Sequence, residues 1–301
     1  MEDISSLIKK AMFNLKPEAK FRPDYQTALE NEEVKKFLAT HQAEITPEII
    51  DNSLDNLYLF TQQLKSNRIQ KILQGYEPHL VLNDNLIEIT YAPGKVMQTE
   101  LALNKAQKRI QLIDLPEKLK NVTLSELDKA PGREEALVKI ATFLKQYQTN
   151  SHARGLYLEG SFGVGKTYLL AGLANVLAQN GTQVIFLHTP SFIASLPTFV
   201  KKNTLAAEVD KITQAPVVIF DDIGAESLSE WSRDDILGVI FQKRMDNELP
   251  TFFTSNLDLA GLEKHFSETK NSVDELKAKR IMQRIRFLSE EVLVKGENRR
   301  V

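Results

Sequence analysis

The residues most able to do chemistry form a glycine-rich octet in the middle of the chain. In order they are Gly160, Ser161, Phe162, Gly163, Val164, Gly165, Lys166 and Thr167. This order matches the complete pattern of a phosphate-binding loop, in which backbone N–H groups surround phosphate oxygens and glycines supply the unusual conformations. Lys166 would contact the β- and γ-phosphates, and the Thr167 hydroxyl would bind Mg²⁺. The octet therefore predicts a site for the phosphates of a nucleotide.

The octet stands between a strand pattern and a helix pattern. Leu156-Tyr157-Leu158 is a short apolar run before it, and a helical pattern runs from Lys166 to about Gln179 after it. The N-terminus of such a helix favours anions because its N–H groups are free and its dipole is positive there. A glycine-rich turn without a nucleotide is the alternative, but the strand–loop–helix context favours phosphate binding.

Two carboxylates end a second apolar run, Val217-Val218-Ile219-Phe220. Asp221 and Asp222 would then lie at the carboxyl end of a buried strand, where open α/β sheets bind ligands. Asp221 suits the shell of a magnesium ion, typically through water, and Asp222 could polarise an attacking water. Acidic residues after a strand can also be helix caps, but their position downstream of a phosphate loop favours the catalytic role.

Further polar groups follow in the C-terminal third. Asn256 follows the strand-like run Thr251-Phe252-Phe253-Thr254 and could orient a lytic water, although an ordinary turn would also use it. Residues 277–301 contain eight Lys and Arg against three Glu. A solvated basic face is the usual reason for such a run. The sharper hypothesis is that Arg284 reaches the γ-phosphate held by a neighbouring copy.

The apolar runs alternate with helical patterns from residue 131 onward, which predicts an α/β fold with a parallel sheet covered on both faces. Further strands are expected at 184–187 and 251–254, with a β-segment at 291–295. Residues 1–72 show short helical stripes, and 80–91 resemble a β-hairpin. The expected division is an N-terminal domain over 1–100, a linker over 101–130 and an ATPase-type domain over 131–301.

Composition excludes several classes of protein. The 42% hydrophobic content of these 301 residues excludes disorder throughout, and zero Cys excludes disulfides, iron–sulfur clusters and thiolate chemistry. The net charge of −2 argues against a wholesale polybasic nucleic-acid binder but leaves a local strip, with Lys201, Lys202 and the C-terminal basic residues as candidates. A charged N-terminus and the lack of a long apolar stretch predict a cytoplasmic protein without membrane contact.

Several motifs together resemble the AAA+ ATPases, and specifically the bacterial replicative helicase loaders of the DnaI and DnaC type. The motifs that carry this resemblance are the octet, Phe220-Asp221-Asp222-Ile223-Gly224-Ala225-Glu226, Pro250-Thr251-Phe252-Phe253-Thr254-Ser255-Asn256, Arg280-Ile281-Met282-Gln283-Arg284-Ile285-Arg286 and Gly296-Glu297-Asn298-Arg299-Arg300. The last motif, with Gly75-Tyr76-Glu77-Pro78, is more similar to the DnaI branch. The resemblance is specific over 130–301 and looser over 1–130.

The resemblance implies a primosomal protein made of two parts. An AAA+ P-loop NTPase domain would bind ATP, Mg²⁺ and single-stranded DNA, and a smaller helical or α+β N-terminal domain would bind the hexameric replicative helicase. Other primosome proteins are further candidate partners, and a second copy bound through the AAA+ domains is another candidate. The function implied is ATP-dependent loading of the helicase onto single-stranded DNA, with a weak ATPase acting as a switch.

The resemblance also assigns roles to residues. Lys166 and Thr167 hold phosphate and Mg²⁺, Asp221 is the Walker B carboxylate, and Asp222 stands where the usual glutamate would be. Asn256 resembles the first sensor. Arg284 resembles the arginine finger and Arg300 the second sensor, although Arg280, Arg286 and Arg299 are close enough to take those roles.

One departure concerns zinc. Loaders of the DnaI type are expected to carry a cysteine-based zinc site in the N-terminal domain, and this chain has no Cys. His79 is a lone histidine there. We therefore predict a domain without zinc. It would be held by apolar contacts of residues such as Leu64, Ile69, Leu73, Val81, Ile87 and Ile89.

Three other functions are compatible with the phosphate loop. An IstB-like helper ATPase of transposition would share the AAA+ core but bind a transposase. A small-molecule P-loop kinase would need a lid with arginines and an acceptor pocket, which the sequence does not reveal. An ATP-binding adaptor would bind the nucleotide and barely hydrolyse it.

Overall fold

The computed structural model describes residues 24–66, 75–125, 132–270 and 272–298. The chain divides into two compact units, Met1–Leu101 and Ala102–Val301. Among the residues singled out in the sequence, Ile69, Leu73, Arg299 and Arg300 lie outside the described ranges. No described helix is both long and apolar enough to cross a membrane.

The first unit packs helices against a β-hairpin. Its elements are α1 (Tyr25–Leu29), α2 (Glu32–Thr40), α3 (Pro47–Lys65), β1 (Tyr76–Asn83), β2 (Leu86–Pro93) and the first half of α4 (Lys95–Gln107). The hairpin is antiparallel, with Asn83 opposite Leu86, and its strands are longer than the sequence pattern predicts. Leu57 and Phe60 of α3 pack with Val34 and Ile87 in one apolar core.

Two polar contacts also join α3 to the hairpin. The Ser53 hydroxyl accepts a hydrogen bond from the Ile87 amide at 2.8 Å, and the Asn56 side chain donates to the Ile87 carbonyl at 2.8 Å. Ile87 is fully buried between them. Both backbone groups of this core residue are therefore satisfied by side chains from α3, which fixes the position of β2 against the helix.

The second unit is built on a parallel sheet, which has six strands in the described residues. They are β3 (Ile110–Ile113), β4 (Gly155–Glu159), β5 (Val184–His188), β6 (Val217–Asp221), β7 (Thr251–Ser255) and β8 (Ser289–Leu293). Their order across the sheet is β3-β5-β6-β7-β4-β8, and each neighbouring pair is parallel. The carboxyl ends of the central strands therefore meet at one edge, as the alternation of apolar runs and helices predicts.

Helices cover both faces of this sheet. They are a 3-10 helix (Glu117–Asn121), α5 (Glu134–Tyr147), α6 (Lys166–Gln179), α7 (Thr189–Lys201), α8 (Leu205–Gln214), a π-helix (Ser232–Leu237), α9 (Gly238–Asp246), α10 (Leu259–Ser267) and α11 (Glu275–Leu288). Strand side chains alternate between two buried cores: Leu158 and Phe252 pack toward α5 and α6, while Tyr157 and Phe253 pack toward α9 and α11. Burial on both faces explains why these strands are continuous apolar runs.

The structure corrects the linker expected at 101–130 over the part that it describes. Residues 110–113 form the edge strand β3, whose register places Ile110 opposite Val184 and Ile113 opposite Leu187. The 3-10 helix follows, and both elements belong to the second unit. Only Ile110 of these four residues is buried, and a strand this short between polar segments carries too little apolar periodicity to be recognised. The C-terminal β-segment also begins earlier than expected, at Ser289.

Arg244 ties the amino-terminal ends of two central strands together. Its side chain is fully buried, and the guanidinium donates to the carbonyls of Ile212, Ala215 and Pro250 and to the Thr251 hydroxyl, at 2.8–2.9 Å. Burial lowers the pKa of Arg244 to about 9, so the side chain is still charged at neutral pH. It thereby satisfies backbone acceptors at the starts of β6 and β7, which would otherwise be buried without donors.

We predict that Arg244→Met lowers the free energy of unfolding by about 3 kcal/mol, because several buried carbonyls lose their donor. Urea unfolding followed by circular dichroism measures this change. Lys243→Met is the matched control, since Lys243 makes a half-exposed ion pair with Asp210 at 3.3 Å, and its loss should cost less than about 1 kcal/mol. Equal losses for the two variants would contradict the role assigned to Arg244.

Candidate nucleotide-binding site

The phosphate loop joins the end of β4 to the start of α6. Three of its glycines have positive φ, +149° at Gly160, +78° at Gly163 and +97° at Gly165. Side chains are disfavoured at such angles, which is why the loop requires glycine. The helix that follows begins at Lys166 and runs for 14 residues, so its free N–H groups face the loop and provide an anion site.

The ammonium of Lys166 is held by its own loop and by the neighbouring strand end. It donates to the carbonyl oxygens of Gly160 at 2.7 Å and Ser161 at 3.0 Å, and to Asn256 Oδ1 at 2.8 Å. Lys166 is only 7% exposed. These oxygens balance a buried positive charge, which phosphate oxygens of a bound nucleotide would balance more strongly.

Asp221 lies at the carboxyl end of β6 and is 5% exposed. Its Oδ1 atom accepts hydrogen bonds from the hydroxyls of Thr167 at 2.8 Å and Thr254 at 2.7 Å. Burial raises the pKa of Asp221 above its ordinary value, and the two hydroxyl bonds oppose that rise. A carboxylate and a hydroxyl this close together fit a magnesium ion whose remaining ligands are phosphate and water.

Asp222 has an unusual backbone conformation, with φ at +57°. Its amide donates to the Thr254 hydroxyl at 2.9 Å, and its Oδ1 atom accepts from Asn256 Nδ2 at 2.9 Å. His188 Nε2 lies 3.9 Å from Asp222 Oδ2. Asp is among the few residues that tolerate the left-handed region, and such strain is often found at functional sites.

Asn256 connects Lys166 to Asp222. Its amide oxygen faces the ammonium and its amide nitrogen faces the carboxylate, and the opposite orientation would place donor against donor and acceptor against acceptor. The side chain is therefore fixed between the group expected to bind phosphate and the group expected to polarise water.

The polar side chains of Lys166, Thr167, Asp221, Asp222, Thr254 and Asn256 line a cavity of about 740 Å³. The other lining residues are Asp114, Leu115, Pro116, Lys118, Leu119, Arg133, Phe162, Gly163, Gly165, Tyr168 and His188. The volume lies within the range of small-molecule sites. One side is polar, from the loop and the strand ends, and another side comes from the segment at 114–119 that follows β3.

Sequence reasoning missed several contributors to this cavity, and three of them show why. Thr254 lies beside Asp221 because the register of β6 and β7 pairs Phe220 with Phe253. The order of the two strands in the sheet would have been needed to predict this contact. Arg133 is 3% exposed and donates to the Val164 carbonyl within the phosphate loop, but no local pattern links it to a loop thirty residues away. The segment 114–119 was hidden because it follows the unrecognised strand β3.

The structure does not bring every predicted residue to the cavity. Arg284 Nη1 donates to the Gly238 carbonyl at 2.9 Å, and Arg284 is not among the residues that line the cavity. Partial burial lowers the pKa of its guanidinium. Its action on a neighbouring copy stays a prediction, and Arg300 lies outside the described residues. Lys201 and Lys202 are exposed at the end of α7, so their contact with DNA also stays a prediction.

His79 lies exposed on β1. Among the residues that the structure describes, no group of three or more His, Asp or Glu side chains could hold a metal by protein ligands alone. The absence of zinc from the N-terminal unit stays a prediction, which metal analysis of the purified chain would test.

The parallel sheet, the phosphate loop and the carboxylates that end β6 define an AAA+ ATP-binding domain. Two family models match the chain, one described as the primosomal protein DnaI N-terminus over residues 1–91 and one as IstB-like ATP binding protein over residues 85–301. The chain is also 34% identical over 296 residues to the replicative helicase loader DnaI of Bacillus subtilis (strain 168), which covers 93% of this chain and 95% of that protein. The chain belongs to the DnaI family of replicative helicase loaders.

Two further relatives place this assignment in context. A crystal structure of DnaI superimposes with a TM-score of 0.57 at 37% identity, covering 65% of this chain and 99% of that one. A putative ATP-binding protein of insertion sequence IS1162 from Pseudomonas fluorescens is 30% identical over 149 residues, covering 49% of this chain and 64% of that protein. Similarity to the transposition-linked protein is therefore partial, whereas similarity to DnaI extends over nearly the whole chain.

We predict that Asp221→Asn makes the nucleotide-free protein more stable at pH 7. The pKa of Asp221 is raised above 3.8 by burial, so the aspartate favours folding when protonated and loses that contribution as the pH rises through its folded pKa. Asparagine carries no charge at any of these pH values. Urea unfolding at pH values from below 3.8 up to 8 should show a difference that is larger at pH 8 than at the acid end, and exposed Asp235 provides the control substitution Asp235→Asn. A difference independent of pH would contradict this explanation.

Proposed function

We propose that this loader binds Mg²⁺-ATP in the cavity beside the phosphate loop and places the hexameric replicative helicase on single-stranded DNA. The observation that carries the proposal is the similarity to DnaI over 93% of the chain, combined with a loop, carboxylates and amide in mutual contact. The proposed place of action is the cytoplasm, where the chromosome and its helicase are found. Other primosome proteins are further candidate partners.

The N-terminal unit is the proposed helicase-binding part. The family model of the DnaI N-terminus covers residues 1–91, whereas the IstB-like model begins at residue 85. A transposition helper needs the ATPase core but has no evident use for this additional unit. The extra unit therefore supports helicase loading over the transposition alternative, and direct comparison of the two partners would separate them.

The proposed ATPase uses the chain's own groups in three roles. Lys166 and the loop amides hold the phosphates, and Thr167 with Asp221 would hold Mg²⁺, which neutralises charge on the phosphate oxygens. Asp222 accepts a proton from the attacking water, and Asn256 orients that water. Because Asn256 contacts both Lys166 and Asp222, phosphates that draw Lys166 away would also release Asn256 and Asp222 to act on water.

We propose that hydrolysis is slow and serves as a switch. Aspartate is one methylene shorter than the glutamate usual at this position, and Asp222 is held by the Thr254 hydroxyl and Asn256. A carboxylate with a shorter reach polarises water less well if the water position is unchanged. Slow turnover would leave time for the ATP-bound state to act on its partner before hydrolysis ends that state.

Asp222→Asn tests the catalytic role. We expect the apparent kcat for ATP hydrolysis to fall about a hundredfold, the usual scale for loss of a general base, while the Kd for ATP stays within about twofold. Single-turnover hydrolysis and equilibrium binding of a fluorescent ATP analogue measure the two quantities. Asp235→Asn, at an exposed aspartate of the π-helix, should change neither. Unchanged hydrolysis in Asp222→Asn would favour the ATP-binding adaptor instead.

The partner is tested by co-purification of the full chain with the replicative helicase, with ATP and without it. A chain lacking residues 1–101 should lose the helicase but keep ATP binding, and Lys166→Ala should lose ATP binding. Retention of a transposase in place of the helicase would support the IstB-like alternative. Transfer of phosphate to a metabolite, without release of free phosphate, would support a kinase.

DNA binding is the remaining part of the proposal. The exposed basic candidates are Lys201 and Lys202 together with Lys277, Lys279, Arg280 and Arg286 of α11. Contacts of this kind release counterions, so the affinity for single-stranded DNA should fall steeply between low and moderate salt. An affinity that does not depend on salt would contradict this surface.

A further inference from the structure

The backbone beyond β8 runs along the phosphate loop. The Val294 amide donates to the Glu159 carbonyl at 2.8 Å, which extends the β4–β8 pairing to the point where the loop begins. The next residue turns to the other side, because the Lys295 amide donates to the Gly132 carbonyl at 2.9 Å. We call residues 294–298 the C-terminal segment.

The C-terminal segment contacts three glycines that have positive φ. A Cβ added at Gly160 would overlap the Val294 carbonyl, and one at Gly132 would lie 2.6 Å from the Lys295 Cβ. A Cβ at Gly163 would overlap Asn298 Oδ1 and lie 2.6 Å from its Cγ and 3.1 Å from its Cα. Two of these glycines belong to the phosphate loop, so the loop and this segment occupy adjoining space with no room for a side chain between them.

Arg133 contacts the phosphate loop at two further residues. Arg133 follows Gly132 directly, and its guanidinium donates to the Val164 carbonyl. A Cβ at Gly165 would lie 2.7 Å from Arg133 Nη2. The phosphate loop is therefore enclosed by the C-terminal segment at Gly160 and Gly163 and by Arg133 at Val164 and Gly165, while the Lys295–Gly132 bond joins these two supports.

We propose that the C-terminal segment is a positioning element of the nucleotide site, with Asn298 as its principal side chain, and that ATP binding and the order of this segment are coupled. The proposal rests on ATP binding at the cavity described above. None of residues 294–298 lines that cavity, so the segment acts through the conformation of the loop. Asn298 is a positioning residue and not a catalytic one.

The physical reason is the flexibility of the loop itself. A loop with three glycines in six residues samples many conformations. Restricting it to the one in which its amides converge on phosphate costs conformational entropy. A support that holds the loop in the binding conformation lowers this cost before the nucleotide arrives. Without it, the apparent Kd rises in inverse proportion to the fraction of binding-competent loop.

The first experiment compares Asn298→Ala with Glu297→Ala in the full chain. Glu297 is the exposed neighbour and its carboxylate has no described contact with the loop, so it controls for changes to the segment in general. We expect Asn298→Ala to raise the Kd and KM for ATP about tenfold and to leave kcat within twofold. Glu297→Ala should leave all three unchanged, and urea unfolding should show that both variants are folded.

The second experiment uses the unmodified chain and therefore does not depend on any variant folding. Coupling is reciprocal, so ATP should slow hydrogen exchange in residues 294–298 as well as in the loop. In Lys166→Ala, the same ATP concentration should leave exchange in the segment unchanged. In Asn298→Ala without nucleotide, exchange of the loop amides should accelerate several-fold.

The outcomes separate the two levels of the proposal. If the unmodified chain does not bind ATP, or Lys166→Ala binds it equally well, the proposed nucleotide site is wrong. If Lys166→Ala loses ATP but Asn298→Ala binds it as tightly as Glu297→Ala does, the positioning role is wrong. Protection of the loop by ATP with no change in residues 294–298 would likewise overturn the coupling.

Discussion

A buried carboxylate that has two hydroxyl donors organises the nucleotide site. Asp221 ends β6, Thr167 is the second residue of α6, and Thr254 lies near the end of β7. Three elements therefore meet at Asp221 Oδ1. The cost of this arrangement is a desolvated charge, which the raised pKa reflects. A divalent cation would relieve that cost. The same group that lowers the stability of the protein would therefore favour a ligand that brings a divalent cation to this carboxylate.

The parts of the fold that could be predicted are those whose signal is local. A few consecutive residues are enough to recognise the octet and the start of α6. The same holds for the buried strands β4 to β7, because burial on both faces makes each a continuous apolar run. The strand β3 and the segment after it could not be found, since a four-residue edge strand lacks that run. Arg133 and Thr254 owe their roles to contacts distant in sequence, which only the register and the fold create.

The N-terminal unit shows how a small domain can fix a hairpin without thiolate ligands. The cysteine-free chain places Ser53 and Asn56 of α3 against the two backbone groups of Ile87, with Leu57 and Phe60 packed around them. Hydrogen bonds to buried backbone set the register, and the apolar side chains supply most of the stabilisation. Local polar contacts of this kind have the directional character that metal coordination gives to other small domains.

The left-handed backbone at Asp222 restricts which residues the position can accept. Aspartate and asparagine tolerate φ near +57°, whereas longer side chains adopt it less readily. The choice between aspartate and glutamate is therefore coupled to the shape of the turn after β6, which the Thr254 hydroxyl fixes through the Asp222 amide. A glutamate at this position would therefore need a change in that turn as well as a longer side chain, so the carboxylate here and the local backbone constrain each other.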